Sequence, residues 1–131
     1  MKTAGLLEAA ALVSKNAYAE YSGYKVGAAL LCADGDVFTG CNVENASYGL
    51  TNCAERTAIF SAIAAGRKDF VAMAVVADGE SMPYPCGACR QVLSEFCREE
   101  LSVYVANAGR LENYEVACLA DLLPHQFKLT D

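Results

Sequence analysis

The sequence predicts an α/β fold: a three-layer α/β/α sandwich built on a mixed five-stranded sheet. Three observations carry this. Helical and extended patterns follow one another in the order α-β-β-α-β-α-β-β-α. Two of the extended segments, 26–32 and 70–77, are apolar without a charge, as in strands covered on both faces. Helical segments alternate with these strands, and strands covered by helices on both faces form three layers.

The elements read in order. Over residues 3–19, Leu7, Ala10, Ala11, Ala17 and Tyr18 recur at helical spacing. Segments 26–32 and 37–41 are short apolar runs joined by Asp34-Gly35-Asp36, whose turn chemistry predicts a hairpin. A helix is expected from Thr51, as N-cap, to residue 65, with Gly66 as its stop. Val71, Met73, Val75 and Val76 mark a buried central strand. Pro83 and Pro85 interrupt, and a helix is expected over 87–98. Strands follow over 101–106 and 114–118, then a short helix over 119–123 that ends before Pro124. No repeat, low-complexity stretch or linker divides the chain, and 131 residues suffice for one core but not two. A single domain over 1–131 is the expectation.

Composition limits the function. Hydrophobic residues make up 54%, which excludes a disordered chain, and no apolar run is long enough to span a bilayer. Glu8 interrupts the apolar N-terminal stretch, so it reads as mature protein rather than a signal peptide, and a cytoplasmic location is expected. Ten basic against sixteen acidic residues give a net charge of −6. Nucleic-acid binding draws on Lys and Arg against phosphate, so the expected partner is a small molecule, not a nucleic acid or a membrane. Seven cysteines, an odd count without an export signal, argue for reduced thiols that bind metal or catalyse. Cys32, Cys41, Cys97 and Cys118 lie in apolar contexts and read as packing residues.

The other three do not. Pro85-Cys86-Gly87-Ala88-Cys89 has C-x-x-C spacing at the start of a helix. By itself that spacing serves a structural zinc, a redox dithiol or neither. Asn52-Cys53-Ala54-Glu55-Arg56, at the start of another helix, adds a third thiolate and a carboxylate two residues on. Three protein ligands with an open fourth position mark a catalytic zinc. A cysteine or histidine followed by Glu, then Pro-Cys-x-x-Cys, is the signature of zinc-dependent nucleobase deaminases, in which the Glu is not a ligand. The sole histidine, His125, lies far from these motifs, which leaves the all-thiolate form.

Three segments, Gly40-Cys41-Asn42-Val43-Glu44-Asn45-Ala46-Ser47-Tyr48, Asn52 to Ala58, and Pro85 to Gln91, resemble the homotetrameric cytidine deaminases. The similarity extends to Tyr21-Ser22, Val26-Gly27-Ala28-Ala29, Leu122-Leu123-Pro124 and Phe127. The resemblance implies one Zn²⁺ per subunit on Cys53, Cys86 and Cys89, and Glu55 as the residue that serves first as base and then as acid. Arg56 is implied to hydrogen-bond the thiolates and offset their charge. Asn42 and Glu44 are implied to bind the ribose, Tyr24 and Ala54 to border the base, and Ala46, Tyr48 and Phe127 to reach a neighbouring subunit's site. The implied reaction is hydrolytic deamination of cytidine and 2′-deoxycytidine in pyrimidine salvage. The chain departs from the family in Glu20, where Pro is usual, and Tyr24, where Phe is usual.

Rival readings fail on particular features. A nucleic-acid deaminase needs basic and aromatic platforms, which the acidic balance disfavours. Deaminases of nucleoside-like antibiotics or of guanine share the zinc motif, but Asn42-x-Glu44-Asn45 favours cytidine. A closed zinc module needs a fourth ligand, and the nearest cysteine, Cys41, belongs to a strand. A dithiol oxidoreductase leaves Cys53 and Glu55 unexplained.

Overall fold

A computed structural model describes residues 1–129. The elements are α1 (Thr3–Ser14), β1 (Val26–Cys32), β2 (Val37–Cys41), α2 (Ala54–Ala64), β3 (Phe70–Ala77), α3 (Gly87–Phe96), β4 (Ser102–Asn107), β5 (Glu115–Cys118) and α4 (Leu119–Leu122). Single 3₁₀ turns at Tyr48–Leu50 and Leu111–Asn113 complete them. The sheet order is β2-β1-β3-β4-β5, with β3–β4 parallel and the other pairs antiparallel. The expected mixed five-stranded sheet and order of elements are therefore present.

Side-chain alternation along the strands divides the core. Ala28 and Leu30 of β1, Met73 and Val75 of β3, and Val103 and Val105 of β4 face α2, α3 and α4 through Ala58, Ile59, Leu93 and Leu119. On the opposite face Ala29, Ala72, Ala74, Val76 and Ala106 pack against Leu6, Leu7 and Ala10 of α1. The small residues on that face let α1 lie close to the sheet. Burial on both faces explains why β1 and β3 read as continuous apolar runs. No helix among the described residues is long and apolar enough to cross a membrane.

Two glycines do specific work. Gly35, at φ 99°, makes the β1–β2 turn, which Arg67 braces by pairing with Asp34 and Asp36. Gly40 of β2 lies under the first turns of α2: a Cβ there would overlap the Ala58 amide and stand 2.8 Å from the Ala54 carbonyl oxygen. The absence of a side chain at Gly40 thus sets how near the start of α2 approaches the sheet.

The structure corrects several boundaries. Helix α1 stops at Ser14, whose hydroxyl donates to Ala11 O (2.6 Å), and Tyr18 instead bridges Val43 in extended backbone. Helix α2 begins at Ala54 with Cys53, not Thr51, as N-cap. The reason is tertiary: Asn52 pairs with Val43 through both backbone groups (2.9 and 3.0 Å), which holds this stretch extended. Thr51 Oγ1 accepts from Asn45 N (3.2 Å) instead of capping α2. Helix α3 ends at Phe96, β5 starts at Glu115, and α4 ends at Leu122.

Candidate active site

Two helix starts and the crossover after β3 meet where the C-terminal ends of β2 and β3 flank the N-terminal end of β1, and together they form the site. Cys53 is the N-cap of α2, Cys86 the N-cap of α3, and Cys89 the third residue of α3. Neither N-cap side chain bonds a backbone amide of its own helix, so both sulfurs are free to turn towards each other. The positive ends of two helix dipoles favour thiolate here.

The three sulfurs lie within 4.8 Å of one another, and Cys53 Sγ to Cys86 Sγ is 3.9 Å. Tetrahedral zinc with Zn–S near 2.3 Å requires sulfurs about 3.8 Å apart, so the donor set fits Zn²⁺. Among the described residues no other His, Cys, Asp or Glu joins the group. A tetrahedral ion would keep one position for a non-protein ligand, as catalytic zinc does. Cys89 is fully buried, whereas Cys53 and Cys86 border an open cavity of about 340 Å³.

Arg56 Nη2 donates to Cys53 Sγ at 3.2 Å, and its Nε has no partner although it is buried. That cation, lodged beside sulfur, is what a set of three thiolates requires to offset its charge. In the metal-free site the Cys89 thiol donates to Cys53, and Arg56 adds its charge, so the Cys53 thiol falls to about 5. Cys89, as the donor and deeply buried, moves the other way. The thiolates in turn raise the Arg56 guanidinium above its usual value. Burial pushes the Glu55 carboxyl up to about 7; the Cys53 thiolate adds to the rise, and a backbone hydrogen bond and Arg56 oppose it. Glu55 is 5% exposed, sits in the first turn of α2 and borders the same cavity. A buried carboxyl poised near neutral pH beside a metal site has the properties of a general acid–base.

Tyr24, Asn42, Glu44 and Ala54 also line this cavity. Asn42 is buried; its Oδ1 accepts from Val26 N and its Nδ2 donates to Tyr24 O, both at 2.8 Å. One N–H and one lone pair of that amide remain for a ligand. Glu44 Oε1 accepts from Tyr21 N and Ser22 N at 3.0 Å, and Oε2 accepts from the Ser22 hydroxyl. These bonds, the hydroxyl foremost, hold the Glu44 carboxyl below its usual range. Its position is fixed by backbone: Glu44 N donates to Tyr18 O (2.9 Å), and Val43 lies between Tyr18 and Asn52.

Ala46, Tyr48 and Phe127 do not line the cavity in their own protomer. Ala46 is exposed, and Tyr48 and Phe127 are 76% and 65% exposed. Tyr48 stacks edge-on against Tyr21 at 6.2 Å beside a neighbouring surface depression. Sequence reasoning missed Ser22, Val26, Thr51, Pro83 and Tyr84 as site residues, and these complete the cavity wall. Of these, only Pro83-Tyr84-Pro85, a stiff segment abutting Cys86, carried a local signal.

Comparison with known proteins agrees with this site. The model of the cytidine and deoxycytidylate deaminase zinc-binding region matches residues 2–105. A cytidine deaminase of Halalkalibacterium halodurans is 50% identical over 127 residues, 96% of this chain and 94% of that protein. One of Sporosarcina psychrophila is 51% identical over 118 residues, 89% of this chain and 85% of that protein. The crystal structure of cytidine deaminase from Burkholderia pseudomallei superposes with a TM-score of 0.91 at 52% identity, covering 97% of this chain and all of that one. With a three-cysteine zinc site at two helix starts, and with matches along nearly its whole length, the chain belongs to the cytidine and deoxycytidylate deaminase family of zinc enzymes.

Proposed function

We propose that the chain hydrolyses cytidine, and 2′-deoxycytidine, to the uracil nucleoside and ammonia, as part of pyrimidine salvage in the cytoplasm. The observation that carries this is the single cavity joining the sulfur cluster and Glu55 to Asn42 and Glu44, with room for one nucleoside. Cys53, Cys86 and Cys89 would hold the zinc. When bound, zinc supplies a Lewis acid that makes water nucleophilic near neutral pH.

The chain's own residues do the rest. Glu55 accepts the proton of the attacking water and delivers it to N3 of the cytosine ring, which makes C4 electrophilic. It then takes the remaining proton from the C4 hydroxyl and passes it to the exocyclic amine; the C4 carbonyl forms as the C4–N bond breaks, and the amine departs as ammonia. One carboxyl thus serves twice, and its poise near neutrality suits both transfers. Arg56 offsets the thiolate charge that would otherwise oppose deprotonation next to the sulfurs. Tyr24 and Ala54 border the base, and the spare hydrogen-bonding capacity of Asn42 and Glu44 takes the ribose hydroxyls. Ala46, Tyr48 and Phe127 act across a subunit boundary in a homotetramer; their exposure supports this role.

Glu44 sets a substrate limit. Its hydrogen bonds keep it ionised throughout the neutral range, so a phosphate bound with the sugar meets a fixed like charge. Solvent screening at this open position weakens that repulsion without removing it. Ammonia release should therefore show kcat/KM for CMP several-fold below that for cytidine, with Glu44→Gln narrowing the gap. Equal turnover of CMP and cytidine would overturn the placement of Glu44.

A further inference from the structure

We propose that Tyr84 is a positioning residue for the zinc ligand Cys86, acting through its hydrogen bond to Glu115 at the edge of the sheet. The inference rests on the reading of Cys86 as a ligand. Cys86 is the one exposed sulfur of the three, and no regular element precedes it. The chain leaves β3 at Ala77 and reaches Cys86 through an irregular crossover. Pro83 and Pro85 remove two backbone donors from that crossover, and its own backbone bond is a local turn, Tyr84 N to Met82 O at 2.9 Å, which does not tie it to the sheet.

Side chains tie it to the rest of the fold. Asn107 Nδ2 donates to Ser81 O at 2.9 Å, which fixes the start of the segment. Arg90 Nε donates to Pro85 O at 2.7 Å, and its Nη1 donates to Leu122 O at 2.8 Å, which ties the segment to α4. Between these points, Tyr84 Oη donates to Glu115 Oε1 at 2.6 Å. Glu115 is the first residue of β5 and pairs with Val105 of β4, so the phenol is anchored to the sheet itself. Tyr84 also borders the cavity. Tyr84 thus transmits the position of a rigid strand to a thiol two residues away. Hydrogen bonds that orient a metal ligand without touching the metal affect retention of the ion strongly.

The test uses the zinc-loaded protein and its Co²⁺-substituted form. Tyr84→Phe removes only the hydroxyl; Glu115→Ala, on the exposed edge strand, breaks the same bond from the other side. Each should release zinc to excess chelator about tenfold faster than the parent. The double variant should release it no faster than either single one. Glu115→Gln, which keeps an acceptor, should recover part of the loss. The sulfur-to-cobalt absorption of Tyr84→Phe should shift from the parent's. Parental release with a parental cobalt spectrum in Tyr84→Phe, or multiplied effects in the double variant, would overturn the proposal. Cys86→Ser separates the premise: sulfur-to-cobalt absorption undiminished in that variant would overturn the ligand assignment itself.

Discussion

Glu55→Gln should lower kcat for cytidine by at least about a thousandfold while zinc stays at one ion per chain. Glutamine keeps the shape of the side chain but can neither accept the proton from water nor return one to the amine. The carboxyl is buried beside the sulfurs, so no exposed group can substitute for it. The same substitution has a stability consequence in the metal-free protein. The folded carboxyl titrates at about 7, against 4.5 for the free side chain. Below the lower value both states hold the proton; between the two the folded state holds more, so stability falls as pH rises through this window. Well above 7 the loss amounts to about 3 kcal/mol. The lowered Cys53 thiol acts in the opposite sense, with stability gained as pH rises above about 5, and it is present in both proteins. Metal-free Glu55→Gln should therefore gain on the parent between pH 5 and pH 8.5. Urea midpoints at those two pH values measure it, and an unchanged difference would contradict the burial argument. A variant with near-parental turnover would contradict the mechanism.

The second large effect concerns the metal. Cys89→Ser should reduce zinc from one ion per chain to near none after mild chelation, with deaminase activity lost alongside. Cys89 is the fully buried sulfur, and serine places a harder, protonated donor where a thiolate is required. The hydroxyl adds a burial cost of about 1–3 kcal/mol where it finds no partner. Cys118→Ser, outside the cluster, should keep its zinc. Metal analysis after gel filtration distinguishes the two, and stoichiometric, chelator-resistant zinc in Cys89→Ser would contradict the ligand set.

The chemistry of the site was legible where it is local. The spacing of Cys86 and Cys89, and of Cys53 and Glu55, puts each pair within one turn of a helix start, and such spacings survive any tertiary arrangement. The strands β1 and β3 were legible because burial on both faces leaves only apolar residues. The overrun of α1 to residue 19 has the opposite origin. Tyr18 falls at helical spacing from Ala10 and Ala11, yet its backbone is claimed by Asn42 and Glu44, more than twenty residues away. The N-cap assigned to Thr51 failed for a related reason, since Val43 holds Asn52 extended. Pairings of single residues across such distances leave no periodic trace. The Tyr84–Glu115 bond, spanning 31 residues, was hidden likewise. Asn42 and Glu44 were legible only through resemblance, because their residue types alone suit any turn.

The most direct test of the account is ammonia release from cytidine by the purified protein, measured with zinc bound, after chelation, and after zinc is restored. The account predicts turnover that disappears with the metal and returns with it. A folded protein holding one zinc per chain that releases no ammonia from cytidine would contradict it.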